Sequence, residues 1–397
     1  MSDFFVKICF AMHKDNHKKV LVAMSGGVDS SVAAALLKEQ GYLVAGAYMK
    51  NFNPESWKGV LEDNCPWQKD VADVQAVCEK LCIEFRSFNF EREYKGKVID
   101  YFFAEYRAGR TPNPDIMCNK EIKFKLFLDK AKELGFDYIA TGHYARIKPI
   151  SSLRVRSQRT KQSRRDRHGL RPRDDKSSYQ LLKAKDNNKD QSYFLYTLTQ
   201  EQLSRSLFPV GEYTKPRIRE LAKKFGLPNA QKKDSQGICF VGEVNLIEFL
   251  KQRIPVREGD IVTTDGQVVG THENAAYYTY GQRHGFGIGG IGPFYMVDKD
   301  LKENKVVVTN KHDDELLYDS ELELKNVHWI GRRPKFPLKT KATMRYSYPE
   351  QPCTIKKSGN KLKVVFNKKQ RTPTIGQSVV IYDKDLVLGG GIIAAVK

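Results

Sequence analysis

The segment best suited to chemistry is a glycine-containing loop at residues 25–30, which reads Ser-Gly-Gly-Val-Asp-Ser. The loop follows an apolar, β-branched run at residues 19–24 and precedes residues 31–38, which are rich in helix formers and end near Gly41. The sequence therefore predicts a strand, a tight turn and the first turn of a helix. Because the first N–H groups of a helix have no partner within it, and the helix dipole is positive there, this turn is suited to binding a phosphate group.

The side chains of this loop favour a nucleotide site. The two glycines allow the backbone to approach a phosphate closely, and Ser25 and Ser30 add hydroxyl donors. Asp29 is unsuited to a bare phosphate, so we assign it to the Mg²⁺ that accompanies ATP, and we expect no tightly bound metal. The Walker pattern is absent. The loop instead resembles the pyrophosphatase-type loop of ATP enzymes that adenylate a substrate, and an N-capped surface helix is the alternative.

Cys118 is a candidate nucleophile. It follows the proline-containing residues 111–115 and directly precedes a helix that is predicted over residues 119–134. A thiol at a helix N-terminus has its thiolate stabilised by the dipole, and the neighbouring Lys120 adds positive charge. Asp115, three residues before the cysteine, could serve as a general acid or base.

Cys239 is a second candidate. It lies in a glycine-bracketed turn at residues 234–242, again ahead of an apolar run. Either cysteine alone is most simply explained as structural. Adenylation, however, makes a carbonyl oxygen a good leaving group, and sulfur carried on a thiol is a suitable nucleophile to replace it.

The composition indicates a polyanionic partner and no membrane span. The 397-residue chain has a formal charge of +20, of which residues 151–178 contribute +7, leaving +13 elsewhere. This excess favours nucleic acid, although solvated basic faces are also common. No apolar run approaches the ~20 residues of a transmembrane helix. Seven cysteines without the spacing of a disulfide framework fit a reducing, intracellular setting, which we take to be the cytoplasm.

The order of predicted elements indicates the architecture. Up to about residue 145, strand-like and helix-like segments alternate, which predicts an α/β fold with a doubly wound parallel sheet and a ligand at the carboxyl ends of its strands. Residues 215–250 have a helical pattern, and short alternating strands after residue 255 suggest a β-barrel.

These patterns divide the chain into four parts. They are an N-terminal extension (1–17), a catalytic domain (18–214), a small helical central domain (215–254) and a β-barrel domain (255–397). Residues 151–178 interrupt the catalytic domain as a basic insertion that we predict to be disordered.

Seven motifs in order resemble the tRNA-specific 2-thiouridylase family. They are residues 25–30, 49–51, 111–119, 141–145, 189–193, 237–240 and 281–285. The loop alone is shared with GMP synthetase and other enzymes of the same superfamily, whereas the two cysteine motifs together single out this family. The resemblance covers nearly the whole chain apart from residues 1–17 and 151–178.

The resemblance implies ATP-dependent thiolation of tRNA. ATP with Mg²⁺ would adenylate O2 of the wobble uridine and release pyrophosphate. Cys239 would carry sulfur as a persulfide received from a cysteine desulfurase or a sulfur-relay protein, and that sulfur would attack C2 as AMP leaves. Cys118 would free the product by forming a transient disulfide with Cys239, or would release hydrogen sulfide for the attack.

The resemblance also implies roles for individual residues. Those that would hold ATP are Ala23, Met24, Ser25, Gly26, Gly27, Val28, Asp29, Ser30, Met49 and Gly142. Those that would contact the target base are Asn113, Pro114 and Asp115. Those that would contact the remaining tRNA are His143, Lys189, Asp190, Gln191, Arg345, Tyr346 and Gln377.

Two other functions are considered. A GMP synthetase-like ligase that adenylates a small molecule would explain the loop but neither cysteine motif. A non-catalytic RNA-binding protein would explain the charge, but the loop retains Asp29 and both serines.

Overall fold

The computed structural model describes most of the chain. The described residues are 18–52, 67–150, 178–234, 245–288, 293–359 and 361–396. The N-terminal extension, almost all of the basic insertion and Cys239 lie outside them. Our interpretations of those segments therefore stay predictions.

The described residues form helices and strands throughout. The strands are β1 (Lys19–Met24), β2 (Leu43–Lys50), β3 (Glu84–Asn89), β4 (Tyr138–Thr141), β5 (Ala145–Ile150), β6 (Ser178–Lys183), β7 (Ser206–Leu207), β8 (Gly259–Thr263), β9 (Val268–His272), β10 (Tyr295–Asp300), β11 (Lys305–Thr309), β12 (Tyr318–Trp329), β13 (Leu338–Thr343), β14 (Gln351–Ser358), β15 (Lys361–Arg371), β16 (Ser378–Asp383) and β17 (Leu386–Val396). The helices are α1 (Val28–Glu39), α2 (Trp67–Leu81), α3 (consecutive segments Glu91–Tyr94, Lys95–Ile99 and Asp100–Arg107), α4 (consecutive segments Pro114–Cys118, Asn119–Leu126 and Phe127–Glu133), α5 (Gln200–Ser204), α6 (Lys215–Lys224) and α7 (Leu246–Lys251). Within the described ranges, none of the helices has the length and apolar character needed to cross a bilayer.

A five-stranded parallel sheet forms the centre of the N-terminal part, with strand order β3-β2-β1-β4-β7. Helices cover both of its faces: α1, α2 and α6 enclose one apolar cluster, and α3 and α4 enclose the other. The central strand β1 is accordingly apolar on both faces. This confirms the predicted doubly wound α/β fold, and it places the carboxyl ends of β1 and β4 side by side.

The helix that carries Cys118 begins earlier than predicted. The sequence analysis starts it at residue 119, but α4 begins at Pro114, whose ring presets φ and whose missing N–H is not needed in the first turn. Asn113 is the N-cap, and its side-chain oxygen accepts a hydrogen bond from the Ile116 N–H at 3.1 Å. Cys118 therefore lies one turn inside the helix, and the prediction of a thiol at a helix N-terminus is wrong.

Six strands close into a barrel at the C-terminal end. Their order is β12-β15-β14-β13-β16-β17, and the pairing of β12 with β17 completes the ring around an apolar interior. The β5–β6 hairpin attaches to β17, and a separate four-stranded sheet, β10-β11-β8-β9, precedes the barrel in the chain. The predicted C-terminal β-barrel is confirmed.

Among the described residues 215–234, helix is less extensive than the sequence pattern suggests. Helix α6 ends at Lys224, and residues 225–234 form turns and irregular chain because Gly226 and Pro228 end the helix. Helix α7 lies at the end of the predicted helical range.

The 3₁₀ turn Ser192–Leu195 connects the sheet domain to the barrel. Tyr193 is buried and donates its hydroxyl hydrogen bond to the Ser378 carbonyl at 2.9 Å, and the Met344 carbonyl lies 3.3 Å from the same hydroxyl. The hydroxyl of Tyr196 lies 3.1 Å from the Ser378 hydroxyl. These buried phenols fix the barrel against the sheet domain at one point.

We predict that Tyr193→Phe lowers the free energy of unfolding by about 1–2 kcal/mol, because buried carbonyls lose their donor. The measurement is the midpoint of urea unfolding. Tyr348→Phe alters a tyrosine that is 61% exposed and is the control, which should leave the midpoint unchanged. An unchanged midpoint for Tyr193→Phe would show that the hydroxyl does not stabilise this junction.

Candidate active site

The predicted phosphate loop connects β1 to α1 at the carboxyl edge of the parallel sheet. Gly27 is the N-cap of α1 with extended backbone, and no described side chain caps this helix. The Ser31 N–H bonds the Gly27 carbonyl at 3.4 Å, so the earlier amides of the first turn have no intrahelical acceptor. The loop therefore presents the free N–H groups that an anion site requires.

Close packing explains why glycine is required at two of the positions predicted to hold ATP. Gly26 has a φ of +76°, and a Cβ there would lie 2.9 Å from the Asp70 carbonyl oxygen. Gly142 follows β4, and a Cβ on it would lie 2.7 Å from the Ser30 backbone nitrogen. Any larger residue would displace the loop. Gly142 therefore lies directly against the loop.

The other residues predicted to hold ATP differ in what they can offer. Those whose side chains are buried in the core are Ala23, Met24, Val28 and Met49. The Ser30 hydroxyl is also buried and donates to the Gly27 carbonyl at 3.0 Å, so it stabilises the loop from within. Ser25 is exposed, and its hydroxyl accepts a hydrogen bond from the Gly27 N–H at 3.4 Å.

A lysine that the sequence analysis does not include lies at this loop. Lys215, the first residue of α6, donates to both carboxylate oxygens of Asp29 at 2.7 and 2.9 Å. The Tyr144 hydroxyl also donates to Asp29 at 2.8 Å, and burial together with that carboxylate raises the pKa of Tyr144. A lysine in the first turn of a helix opposes the dipole, and this is the sequence signal that could have identified Lys215.

Asp234 completes a charged cluster around Lys215. Its carboxylate lies 2.7 Å from the Lys215 ammonium and 2.8 Å from the side-chain nitrogens of Lys189 and Arg219. Burial raises the pKa of Asp234, but hydrogen bonds from Lys189 and Lys215 outweigh it and hold that pKa at about 2. Asp234 is thus ionised at neutral pH and links Lys189, predicted to contact tRNA, to the phosphate loop.

The proline-containing loop before α4 is held by the barrel. The Thr111 N–H donates to the Ile375 carbonyl at 2.9 Å. The Gln377 side-chain amide donates to the carbonyls of Thr111 and Pro112 at 3.0 and 2.9 Å. Gln377, predicted to contact tRNA, therefore binds the loop that precedes the candidate nucleophile.

Cys118 is fully buried in α4. The next residue, Asn119, donates its side-chain amide to the Phe194 carbonyl at 3.2 Å. Asp115 lies in the first turn of the same helix, directly after the N-cap Asn113 and Pro114, so three predicted base contacts and the thiol share one short helical segment. Because the thiol is buried, it must become accessible before it can react.

His143 connects α4 to the phosphate loop. Its ring centroid lies 5.7 Å from that of Phe124 on α4, and its Nδ1 lies 2.8 Å from the Thr141 hydroxyl. Burial and the nearby Lys123 lower the pKa of His143 well below its usual value, so the ring is neutral at pH 7. Since the preceding residue is Gly142, the phosphate loop and α4 meet at the end of β4.

The 189–191 motif includes two residues whose side chains stabilise the fold. Asp190 accepts a hydrogen bond from the Ser192 hydroxyl at 2.7 Å, and burial raises its pKa. Gln191 accepts one from the Tyr144 N–H at 3.0 Å. Lys189, whose side chain is 40% exposed, is the member of the motif best placed to reach a phosphate.

Arg345 and Tyr346 lie in the barrel loop between β13 and β14. The Arg345 guanidinium donates to the Thr372 carbonyl at 2.7 Å. The Tyr346 ring packs on Phe194 with centroids 4.6 Å apart. Since the Phe194 carbonyl binds Asn119, Tyr346 is two contacts away from the helix of the candidate nucleophile.

A cavity of about 720 Å³ opens beside the carboxyl ends of β2 and β3. Asn51 directly follows β2, Asn89 is the last residue of β3, and both line the cavity. Asn51 is 2% exposed, and its amide has no hydrogen-bond partner among the described residues. The sequence analysis gave it no role. An unpaired buried amide at this edge of an α/β sheet is typical of a ligand-binding group.

Family models match nearly all of the described chain. Residues 18–243 match a tRNA methyl transferase HUP domain, residues 247–310 a tRNA methyl transferase PRC-barrel domain, and residues 319–393 an aminomethyltransferase beta-barrel domain. The three ranges contain the parallel sheet, the four-stranded sheet and the closed barrel, respectively.

Curated relatives match nearly the whole chain. A tRNA-specific 2-thiouridylase of Pseudomonas aeruginosa is 46% identical over 382 residues, covering 95% of this chain and 94% of the relative. Those of Streptococcus mutans (47% over 386 residues, 96% of each chain) and Hydrogenovibrio crunogenus (48% over 383 residues, 94% and 93%) are similar. A solved 4-thiouridine synthetase–RNA complex is 18% identical over 60% of this chain and 50% of that chain, and its TM-score of 0.32 is too low for a comparison of sites. From the domain matches and the identity over almost its whole length, the chain belongs to the tRNA-specific 2-thiouridylase family.

Proposed function

We propose that this protein catalyses the ATP-dependent 2-thiolation of the wobble uridine of tRNA. The observation that carries the proposal is the junction after β4, where Gly142 lies against the phosphate loop and His143 packs on the helix of Cys118. Two adjacent residues thus join an adenylating site to a thiol. The relatives are named 2-thiouridylases, and a formal charge of +20 suits an RNA substrate.

In the first half-reaction, the phosphate loop holds ATP. The free amides of α1 and the ammonium of Lys215 bring positive charge to one place, where they stabilise the negative charge that develops on the phosphates. Asp29 is the carboxylate at the loop that can serve the accompanying Mg²⁺. The uridine O2 attacks the α-phosphorus, pyrophosphate leaves, and C2 becomes open to substitution.

In the second half-reaction, sulfur replaces the activated oxygen. Cys239 carries a persulfide supplied by a cysteine desulfurase or a relay protein. The terminal sulfur attacks C2, and the C–O bond breaks as AMP leaves. The Cys118 thiolate then attacks the Cys239 sulfur, so the persulfide S–S bond breaks with its electron pair on the product sulfur.

The products are 2-thiouridine and a Cys118–Cys239 disulfide, which a cellular thiol reduces. In the alternative order, Cys118 attacks first and releases hydrogen sulfide for the substitution. Asp115 exchanges protons at the base. The requirement for a reductant and for tRNA is met in the cytoplasm.

The wobble base must leave the anticodon stack to reach such a site. Lys189, Arg345 and Tyr346 are proposed tRNA contacts around it, with lysine and arginine bound to phosphates that position the RNA. Asn113 and Pro114 hold the base beside Asp115 at the start of α4.

The direct test is mass spectrometry of nucleosides from tRNA incubated with the protein, ATP-Mg²⁺ and a persulfide-generating donor. We expect 2-thiouridine to form, and Cys118→Ser and Cys239→Ser each to reduce it to the limit of detection, because each removes one sulfur of the exchange. Cys82→Ser replaces an exposed cysteine and should retain activity. AMP transfer to a small molecule without thiolated tRNA would instead favour the GMP synthetase-like ligase.

Lys215→Met is expected to slow pyrophosphate release by about 10²- to 10³-fold, since one cation that stabilises the developing charge is lost. Pyrophosphate release in the presence of tRNA is the measurement, and Lys215→Arg should restore part of the rate. Lys223→Met changes an exposed lysine at the other end of α6 and serves as the control. A wild-type rate for Lys215→Met would mean that Lys215 only pairs with Asp29 and Asp234.

Gln377→Ala should lower kcat for thiolation about tenfold and leave the Kd for tRNA within about twofold, because the amide positions the loop before Cys118. Single-turnover thiolation and tRNA binding are measured in parallel, with Gln267→Ala at an exposed turn as the control. A higher Kd for tRNA with unchanged kcat would instead identify Gln377 as a direct tRNA contact.

A further inference from the structure

Two exposed aromatic side chains lie together in the loop between β13 and β14. Among the large hydrophobic side chains that the described residues expose, the aromatic ones are Tyr346, at 36%, and Tyr348, at 61%. Tyr346 has a packing partner in Phe194. The Arg345 guanidinium lies 5.7 Å from the centre of the Tyr348 ring, and 61% of Tyr348 is exposed to solvent.

The loop holds Tyr348 in a defined position. The Thr343 hydroxyl lies 2.9 Å from the Arg345 carbonyl oxygen and 3.2 Å from the Tyr348 carbonyl oxygen. The Tyr348 N–H bonds the Arg345 carbonyl at 3.4 Å, across Ser347, whose φ of +61° is in the left-handed region. A turn closed at both ends orders the backbone that carries this exposed ring before any ligand arrives, which lowers the entropic cost of binding.

Arg345 brings a positive charge to this loop, and contacts connect the loop to the proposed active site. Arg345 is fixed by its hydrogen bond to the Thr372 carbonyl, and it lies behind the Tyr348 ring. Tyr346 leads through Phe194 to Asn119, which directly follows the candidate nucleophile. An exposed aromatic ring can stack on a planar nucleobase, and a fixed guanidinium beside the ring can attract the phosphates of the same strand.

We propose that Tyr348 is a stacking platform for an unpaired base of the tRNA anticodon loop, next to the wobble nucleotide that enters the active site. This inference rests on the proposed function, which supplies the RNA. Stacking on one base of the same loop would hold the anticodon open while the wobble base is turned toward Asp115. Because every base has a π face, the platform adds affinity without reading sequence.

The test measures binding of full-length protein to unmodified tRNA by fluorescence anisotropy over a range of salt concentrations. Tyr348→Ala should raise the Kd roughly 5- to 50-fold, as expected for the loss of one stacked base. The slope of log Kd against log salt should not change, because stacking releases no counterions. Tyr348→Phe keeps the ring and should bind within about twofold of the wild type.

Leu316→Ala is the matched control, since Leu316 is also 61% exposed and is in a different part of the chain. A wild-type Kd for Tyr348→Ala, or a changed salt slope, would overturn the stacking role. Thiolation at saturating tRNA separates the two proposals. Wild-type protein that forms no 2-thiouridine would overturn the proposed function, whereas active protein with unaltered Tyr348→Ala binding would overturn only the platform.

Discussion

The geometry of the proposed site depends on which groups form hydrogen bonds with the backbone of its proline-containing loop. Residues 111–114 contain two prolines, so this segment lacks two of the N–H donors that could pair its own carbonyls. The barrel supplies the missing partners: Gln377 donates to two carbonyls, and the Ile375 carbonyl accepts from Thr111. The start of α4, and with it the position of Cys118, is therefore set by a domain more than 200 residues away in sequence.

A second constraint is electrostatic. Asp29 and Asp234 share Lys215, and Lys189 and Arg219 add two further cations around Asp234. These side chains are partly buried, so each charge is stabilised by its oppositely charged neighbours. Removing one of them leaves its partners uncompensated. This cluster connects the phosphate loop to Lys215 of α6 and to Lys189, a proposed tRNA contact. Phosphates that enter the site would compete with Asp29 and Asp234 for the same ammonium group.

The barrel has two roles in this arrangement. It binds the proline-containing loop before α4 through Gln377, and the 3₁₀ turn through Tyr193. Its β13–β14 loop also exposes Tyr346 and Tyr348 to solvent, next to the half-buried Arg345. Under the proposed function, the barrel would hold the helix of Cys118 and offer a surface to the RNA, so that tRNA bound to the barrel would be positioned relative to the thiol.

Local patterns in the sequence determined much of this protein. Alternating apolar strands and helices predicted the doubly wound sheet, because the periodicity that marks each element acts within a few residues. The Ser-Gly-Gly-Val-Asp-Ser loop predicted a phosphate site, and its resemblance, with that of the two cysteine motifs, to a known family implied adenylation and sulfur transfer. Tertiary structure decided what depends on distant contacts. Because Asn113 caps the helix, α4 begins at Pro114 and not at residue 119. The side chains of Gln377, Asp190 and Gln191 form hydrogen bonds with protein groups that no local pattern reveals. Lys215 reaches Asp29 across 186 residues. Such pairings depend on how the sheet, α6 and the barrel pack together, and this is why the sequence alone could name the chemistry but not the residues that position it.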